Sequence, residues 1–381
     1  MFKGIEIKNF GIFGKEGQSV PLGNLTYLVG PNNSGKSTVL SAYTAIATLQ
    51  YHTGISLPPV NSHQRIASIR SHLNSPFFGT QAFRQNGYIA DLLKFQNGND
   101  AVFGKQTRQP ISLRVNGNFG GDDSALGILL EDFPNFVNVA TTLEGSEQAN
   151  KSLYSALQKS WVFPSYRTFA MPSLQVGSLG TNNMNFGQNG SGMIQFLLER
   201  FTSRDDKWEI AEKWLKRIDP NVSILKAPLR GLNASVETGV RLQESTFDVN
   251  IAQSGSGIQR ALQIICAVVF SDSNSVILIE EPEMNLHPLA QDVLVDLFNT
   301  AVNEWGKQII ITTHSWDMIL EVYSDIGMQS NGRGEDHVST KAENFQLTKL
   351  TSSEGRAVVE SYDLTSTPFD RLKTDFKRLW G

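Results

Sequence analysis

Residues 30–38 read Gly-Pro-Asn-Asn-Ser-Gly-Lys-Ser-Thr, directly after the apolar run 25–29. A glycine, four further residues and then Gly-Lys-Ser/Thr is the spacing of a phosphate-binding loop between a strand and a helix. Its glycines let the backbone curl, so that successive N–H groups can point at phosphate oxygens. The run therefore predicts a site for a nucleoside triphosphate.

Two side chains of this loop carry further chemistry. The Lys36 ammonium is expected to neutralise the β- and γ-phosphate oxygens, and the Ser37 hydroxyl is expected to bind Mg²⁺. A helix that begins near Ser37 would add its positive end to the same site. The predicted nucleotide-binding residues of the loop are Gly30, Pro31, Asn32, Asn33, Ser34, Gly35, Lys36, Ser37 and Thr38.

Polar residues also follow two other apolar runs, as expected at the ends of buried strands. Val-Ile-Leu-Ile at 276–279 leads into Glu-Glu-Pro-Glu at 280–283, and Gln-Ile-Ile-Ile-Thr-Thr at 308–313 leads into His314 and Ser315. Open α/β sheets bind ligands at the carboxyl ends of their strands. Carboxylates there need a cation or a catalytic task, because uncompensated buried charge is costly. A solvated loop is the alternative for the acids, and a structural role is the alternative for the histidine.

A second turn of small residues precedes an apolar helix. Ser-Gly-Ser-Gly-Ile-Gln-Arg at 254–260 leads into the apolar stretch 261–270. Free N–H groups at such a helix start can bind an anion without a lysine. A single triphosphate does not need two separate phosphate-binding turns, here 30–38 and 254–260, from the same subunit.

The order of these motifs resembles that of the ABC-type ATPases of the SMC, RecF and OLD group. That order is a phosphate loop, a Ser-Gly-x-Gln signature, a strand ending in Glu-Glu-Pro, and a histidine after a further strand. The run 280–288 resembles the small prokaryotic members linked to DNA repair and anti-phage defence, and the run 5–10 is similar to the start of that group. The motifs cover roughly the first and last thirds of the chain.

The resemblance implies an α/β fold, namely an ABC-type P-loop NTPase head with a mixed, centrally parallel sheet and an inserted α/β lobe. Residues 1–55 and 276–381 would form the nucleotide-binding lobe. Residues 56–275 would form the inserted lobe, which ends with the signature and its helix. SMC-like relatives fill this gap with a coiled coil, but no sustained heptad pattern occurs here.

The resemblance also assigns roles to the predicted site residues. The catalytic residues would be Glu281, His314 and Lys36, with Glu281 activating the attacking water and His314 contacting the γ-phosphate. Glu280 and Ser37 would hold Mg²⁺, with Glu280 acting through bound waters.

A homodimer with shared ATP sites follows from the same resemblance, since ABC-type ATPases place the signature of one copy against the nucleotide of the other. Asn285, after the acids, would carry the change across that interface. The nucleotide-binding residues supplied by the second copy would be Ser256, Gly257 and Gln259.

The sequence departs from the group's pattern at several points. Glu280 stands where the group usually has aspartate, and Ile258 stands where the signature usually has glycine. Gln81 and Gln85 are the likeliest residues, by position, for the group's glutamine loop. OLD-type members carry a C-terminal Toprim nuclease domain, and the stretch after His314 is short for a domain of typical size, so we expect no such domain here.

Composition and charge describe a soluble globular chain. The 381 residues are 40% hydrophobic and 18% charged with a net charge of −4, so any contact with DNA has to be a local patch. Cys266 lies in the apolar stretch 261–270 and is expected in the core of a protein of the reducing cytoplasm. No targeting segment, membrane-spanning run or zinc site is predicted.

Three functions remain open. The first is a dimerising ATPase that gates a separately encoded nuclease or toxin, acting in anti-phage defence. The second is a RecF-like, ATP-dependent DNA-binding protein of DNA repair. The third is an ATP sensor or scaffold with little hydrolysis, suggested by Glu280. Two amphipathic stretches, 208–218 and 371–380, are expected to be helices with a solvated face rather than DNA-binding helices.

Overall fold

The computed structural model divides the chain into two compact units. The first comprises Met1–Ser160 and Ala342–Gly381, and the second comprises Trp161–Lys341. The predicted lobes, 1–55 with 276–381 and 56–275, stay a prediction. The residues that the structure describes are 1–52, 63–66, 110–132, 137–163, 206–224, 239–242, 249–250, 254–327, 344–364 and 366–380.

The first unit contains an antiparallel sheet with the strand order β2-β1-β5-β6-β7-β4. Buried and half-buried residues alternate along β5, because one face of the sheet lies on the core. Helix α1 packs against β1 and β5, and α2 packs against β5 and β6. The elements of this part are β1 (Phe2–Lys8), β2 (Gln18–Pro21), β3 (Leu25–Val29), α1 (Lys36–His52), β4 (His63–Ile66), β5 (Ile111–Phe119), β6 (Asp122–Asp132), β7 (Val137–Gly145) and α2 (Glu147–Gln158).

The second unit contains a parallel group of strands, in which β12 lies between β8 and β13. The residues of β12 are apolar and buried up to its final glutamate, as in a strand covered on both faces. Strands β9, β10 and β11 form a small antiparallel sheet. The elements are β8 (Trp161–Phe163), α3 (Lys207–Ile218), β9 (Val222–Ile224), β10 (Gly239–Leu242), β11 (Val249–Asn250), α4 (Ser256–Phe270), β12 (Val276–Glu280), α5 (Pro288–Asn303), β13 (Gln308–Thr313) and α6 (Trp316–Gly327).

The last elements return to the first unit. They are β14 (Phe345–Ser353), β15 (Arg356–Tyr362) and α7 (Phe369–Trp380). Strand β14 pairs in parallel with β3 and antiparallel with β15. The chain therefore has mixed sheets with helices, which confirms the predicted α/β class.

Both amphipathic stretches are helical, as the sequence predicts. In α3 the ring of Trp208 lies 4.7 Å from that of Phe270, and in α7 the buried side chains include Leu372 and Phe376. Cys266 is buried in α4, as predicted for a core residue. Of the helices that the structure describes, none combines the length and the apolar character needed to cross a membrane.

Candidate functional site

The phosphate loop leaves β3, whose five residues are all buried, and ends where α1 begins at Lys36. Three of its residues have positive φ: Gly30 at 155°, Asn33 at 60° and Gly35 at 102°. A Cβ atom on Gly30 would lie 2.0 Å from the carbonyl oxygen of Leu350. Glycine is therefore required at position 30 by both its backbone conformation and its surroundings.

The turn between β1 and β2 supports the loop from behind. A Cβ atom on Gly35 would lie 3.0 Å from Ile12 Cδ1 and 3.2 Å from Phe13 Cε2. Similarly, a Cβ atom on Gly11 would lie 2.5 Å from Thr38 Cγ2. The curvature of the loop is thus fixed by close packing against residues more than 20 positions earlier in the chain.

Lys36 is bonded to its own loop. Its Nζ atom donates to the carbonyl oxygens of Gly30 at 2.7 Å and Pro31 at 2.8 Å, and its side chain is buried. These bonds hold the ammonium inside the curve of the loop. Asn33 and Ser37 are exposed at the surface of the loop.

The carboxyl ends of β12 and β13 bring Glu281 and His314 together. The two strands run in parallel with Glu280 opposite Thr312, and the N–H of Glu281 donates to the carbonyl oxygen of Thr312 at 2.8 Å. Glu281 has a φ of 47°, and its Oε1 atom lies 3.2 Å from Nε2 of His314. Each of the two side chains is 27% exposed. A carboxylate and an imidazole in contact at an accessible strand end can orient a substrate water and exchange a proton with it.

Glu283, which follows β12, accepts a hydrogen bond from the backbone of His314, which follows β13. The N–H of His314 donates to Glu283 Oε1 at 2.7 Å, and the Oε2 atom is buried. Burial raises the pKa of the Glu283 carboxyl, and the N–H of His314 opposes that rise.

Arg260 ties the signature helix α4 to the end of β12. Its buried guanidinium donates to the carbonyl oxygens of Glu280 and Glu281. Burial lowers the pKa of Arg260 to about 10, an effect opposed mainly by the charge of Glu283. The sequence interpretation gave Arg260 no role. The available signal was a cation at the start of an apolar helix, which requires buried partners.

In the signature turn, Ser256 is exposed to solvent and the side chain of Gln259 binds the backbone of the same turn. Ser256 is exposed at the first position of α4, whereas Gln259 Nε2 donates to the carbonyl oxygen of Ser254 at 2.9 Å. A Cβ atom on Gly257 would lie 2.5 Å from the carbonyl oxygen of Asn285. The signature turn therefore packs directly on the turn that follows the acids.

Comparisons with known proteins find an ATPase domain family and OLD nucleases. A family described as an AAA ATPase domain matches residues 182–319, a range that includes the signature, the acids and His314. An OLD nuclease of Thermus scotoductus is 24% identical over 345 residues, which are 83% of this chain and 59% of that protein. The Old nuclease of Escherichia phage P2 is 25% identical over 173 residues, 41% of this chain and 29% of that one.

Solved SMC heads have a similar fold. An SMC head bound to the C-winged helix domain of ScpA superposes with a TM-score of 0.58 at 12% identity, covering 98% of this chain and 99% of that one. An SMC head from Pyrococcus furiosus gives a TM-score of 0.57 at 11% identity, covering 100% and 99%. The chain is therefore similar in sequence to OLD nucleases and shares its fold with SMC heads. It spans about three fifths of the length of the Thermus OLD nuclease.

The structure places the predicted residues in two sets. The phosphate loop 30–38 lies in the first unit, and the second unit holds the acids 280–283, His314 and the signature 254–260. The predicted glutamine-loop candidates, Gln81 and Gln85, lie outside the described residues. Which of these residues contact a nucleotide stays a prediction.

The loop that carries His314 has a further support that the sequence interpretation missed. Ser315 Oγ donates to Gln291 Oε1 at 2.6 Å, and Gln291 Nε2 donates to the carbonyl oxygen of Leu286 at 3.2 Å. Gln291 is buried in α5. The side-chain amide of Gln291 therefore connects the loop that carries His314 to the turn after the acids. No local sequence pattern predicts this connection.

The donors available for Mg²⁺ fit a hard cation. Ser37 offers an exposed hydroxyl and Glu280 a half-buried carboxylate, and Mg²⁺ prefers oxygen ligands with several waters retained. Within the described part of the chain, no group of three or more His, Cys, Asp or Glu side chains is placed to hold a metal ion.

Proposed function

We propose that this chain is an ABC-type ATPase that hydrolyses ATP with Mg²⁺ as a homodimer with shared sites. The observation that carries the proposal is the contact of 3.2 Å between Glu281 and His314 at the ends of adjacent parallel strands. The AAA ATPase domain match supports the ATPase part of this proposal, and the sequence similarity to an OLD nuclease is a further support.

The phosphate loop would hold the triphosphate by charge and by its N–H groups. Lys36 would turn from the carbonyl oxygens of Gly30 and Pro31 to the β- and γ-phosphates, while the N–H groups of 33–38 point at the same oxygens. Ser37 and Glu280 would hold Mg²⁺, which neutralises charge on the phosphates when bound.

Glu281 would act as the general base. Its carboxylate would orient a water in line with the γ-phosphate and take its proton, a role that contributes about 10²–10⁴ in rate. His314 would keep that carboxylate in place through Nε2 and contact the γ-phosphate.

The second copy would close the site with its signature turn. Ser256 and Gly257 lie at the amino end of α4, where free N–H groups favour an anion. Because Gly257 packs on Asn285, a change at the partner's nucleotide would reach the turn after the acids.

The cycle would gate an effector, for which a nuclease or toxin subunit in anti-phage defence is the best candidate. The support is the similarity to two OLD nucleases, and a reducing cytoplasm would suit a chain whose one cysteine is buried. Isolation of the native complex from its own cells, followed by mass spectrometry, tests this step. A nuclease or toxin in stoichiometric amount supports it, and the chain without such a subunit contradicts it.

A sensor or scaffold with little hydrolysis is the second candidate function. Glu280 favours it, because its extra methylene, relative to aspartate, would displace the waters of Mg²⁺. A RecF-like DNA-binding role would instead show as binding to duplex DNA that requires ATP and weakens steeply with salt.

The deciding experiment measures turnover and mass with Mg²⁺ and ATP. Glu281→Gln should bind ATP, lose about 10²–10⁴ in turnover and accumulate a dimer, because the base is removed and the nucleotide site is kept. Lys36→Ala should weaken ATP binding about 10- to 100-fold through the loss of charged hydrogen bonds.

Glu304→Gln is the matched control, since it neutralises an exposed acid of the same unit. It should leave both readouts unchanged. A wild-type chain without turnover would favour the sensor, and a Glu281→Gln variant with full turnover would remove Glu281 from the base role.

A further inference from the structure

The last backbone–backbone hydrogen bond between the ends of β12 and β13 is followed by a hydrogen bond from the backbone to a side chain. The N–H of Glu281 donates to the carbonyl oxygen of Thr312 at 2.8 Å, and the N–H of His314 then donates to Glu283 Oε1 at 2.7 Å. A carboxylate oxygen thus stands where a continued ladder would supply a backbone carbonyl.

We propose that Glu283 is a positioning residue for His314, and that its carboxyl oxygen sets the place from which the imidazole meets Glu281. The proposal rests on the proposed function, because it concerns the same hydrolysis site. Glu283 itself touches no reacting atom in this account.

The turn that carries Glu283 is held at both ends. The N–H of Met284 donates to the carbonyl oxygen of Glu281 at 3.2 Å, and the N–H of Leu286 donates to that of Glu283 at 3.0 Å. The guanidinium of Arg260 binds the carbonyl oxygens just before this turn. The carboxyl group therefore extends from a fixed backbone, so its oxygen is a fixed acceptor.

The residue after His314 is also held by hydrogen bonds. The N–H of Ser315 donates to Thr313 Oγ1 at 2.9 Å, and the Ser315 hydroxyl is bound by Gln291. With the N–H of His314 held by Glu283, three consecutive positions are bonded. Loss of the Glu283 acceptor would release the N–H of His314 and the hydroxyl of Thr313, and the imidazole would then leave Glu281.

The test compares two substitutions of similar size in the full chain. Glu283→Gln keeps an oxygen acceptor, and Glu283→Met fills the space without one. The turnover of Glu283→Met should fall about 10²-fold, the cost of misplacing a catalytic group by about 1 Å. Its KM for ATP should stay within about threefold, because the phosphate loop is untouched. Glu283→Gln should recover most of the lost turnover.

A second readout needs no hydrolysis. Imidazole resonances of the nucleotide-free protein, assigned with His314→Gln, should show the His314 signal displaced in Glu283→Met and near its native position in Glu283→Gln. Asp296→Ala is the matched control, because it removes another buried carboxylate of the same unit, one paired with Arg217. It should leave the His314 signal in place.

The outcomes separate this proposal from the proposed function. A native-like His314 signal in Glu283→Met, or equal damage in Glu283→Met and Glu283→Gln, overturns the positioning role. If the wild type hydrolyses no ATP, the proposed function fails, and the resonances alone decide on Glu283.

Discussion

The carboxyl group of Glu283 is buried, and burial raises the free energy of its charged form. The bond from the His314 N–H favours the charged form, but burial outweighs it, so the pKa is raised. The folded protein therefore binds a proton at Glu283 more readily than the unfolded chain does. Such a group contributes most to stability below its unfolded pKa, and this contribution is lost as pH rises through the folded pKa.

Glu283→Gln should remove this pH dependence. The amide cannot ionise, so the free energy of unfolding of the variant, minus that of the wild type, should increase from about pH 4.5 to pH 8. Each unit of pKa displacement corresponds to about 1.4 kcal/mol. Urea unfolding across this range measures the difference, with Glu304→Gln as the exposed control. A difference that stays flat or decreases with pH would show that the Glu283 pKa is not raised.

At the scale of elements, helix α4 and the turn 281–286 form one assembly. Gly257 packs on the carbonyl oxygen of Asn285, and Arg260 binds the carbonyl oxygens of Glu280 and Glu281. The signature and the acids are therefore held to each other within one chain.

Gly257→Ala should disturb this assembly through overpacking. The added Cβ would lie 2.5 Å from a backbone oxygen, and we expect a loss of about 1–3 kcal/mol in the free energy of unfolding together with reduced turnover. Gly255→Ala is the matched control, because a Cβ there would meet nothing within 4 Å. It should cost less than about 1 kcal/mol, as a changed helix cap. Denaturant unfolding and ATP turnover test the pair, and equal effects at both positions would contradict the close packing.

The elements that carry chemistry were predictable because their signals are local. The spacing of 30–38 predicted the strand, loop and helix, and the apolar runs 276–279 and 308–313 predicted two buried strands with polar ends. Continuous apolar residues at 276–279 and 309–311 favour strands buried on both faces, which is how β12 and β13 pair in parallel.

The supports of the site could not be predicted in the same way. Ile12 and Phe13 contact Gly35 across more than 20 residues, and Arg260 binds backbone carbonyls, which have no sequence signature. The pairing within the antiparallel sheet of the first unit was not predicted, because the partners of its strands do not show in the sequence pattern. Long-range pairing depends on the packing of the whole sheet.

At the scale of the whole molecule, the proposed dimer depends on an exposed signature turn. Ser256→Arg would add bulk and charge at that turn without touching the phosphate loop. In the Glu281→Gln background with Mg²⁺ and ATP, we expect association to weaken about tenfold or more, as a clash of over about 1.4 kcal/mol would require. Nucleotide binding by the single copy should be unchanged.

Light scattering measures this effect as the fraction with twice the 42.1 kDa of one chain. Ser353→Arg, at another exposed serine, is the control and should dimerise normally. If Ser256→Arg forms the same fraction of dimer as the protein without this substitution, the interface lies elsewhere on the surface.

The buried cysteine makes the protein convenient for spectroscopy. Cys266 is the one cysteine of the sequence, it lies inside α4, and burial raises the pKa of its thiol. Thiol reagents attack the thiolate, so maleimides should leave the native fold unmodified. A fluorophore or spin label attached to a new cysteine at an exposed site such as Glu304 or Ser353 would report alone, with no native thiol to remove first.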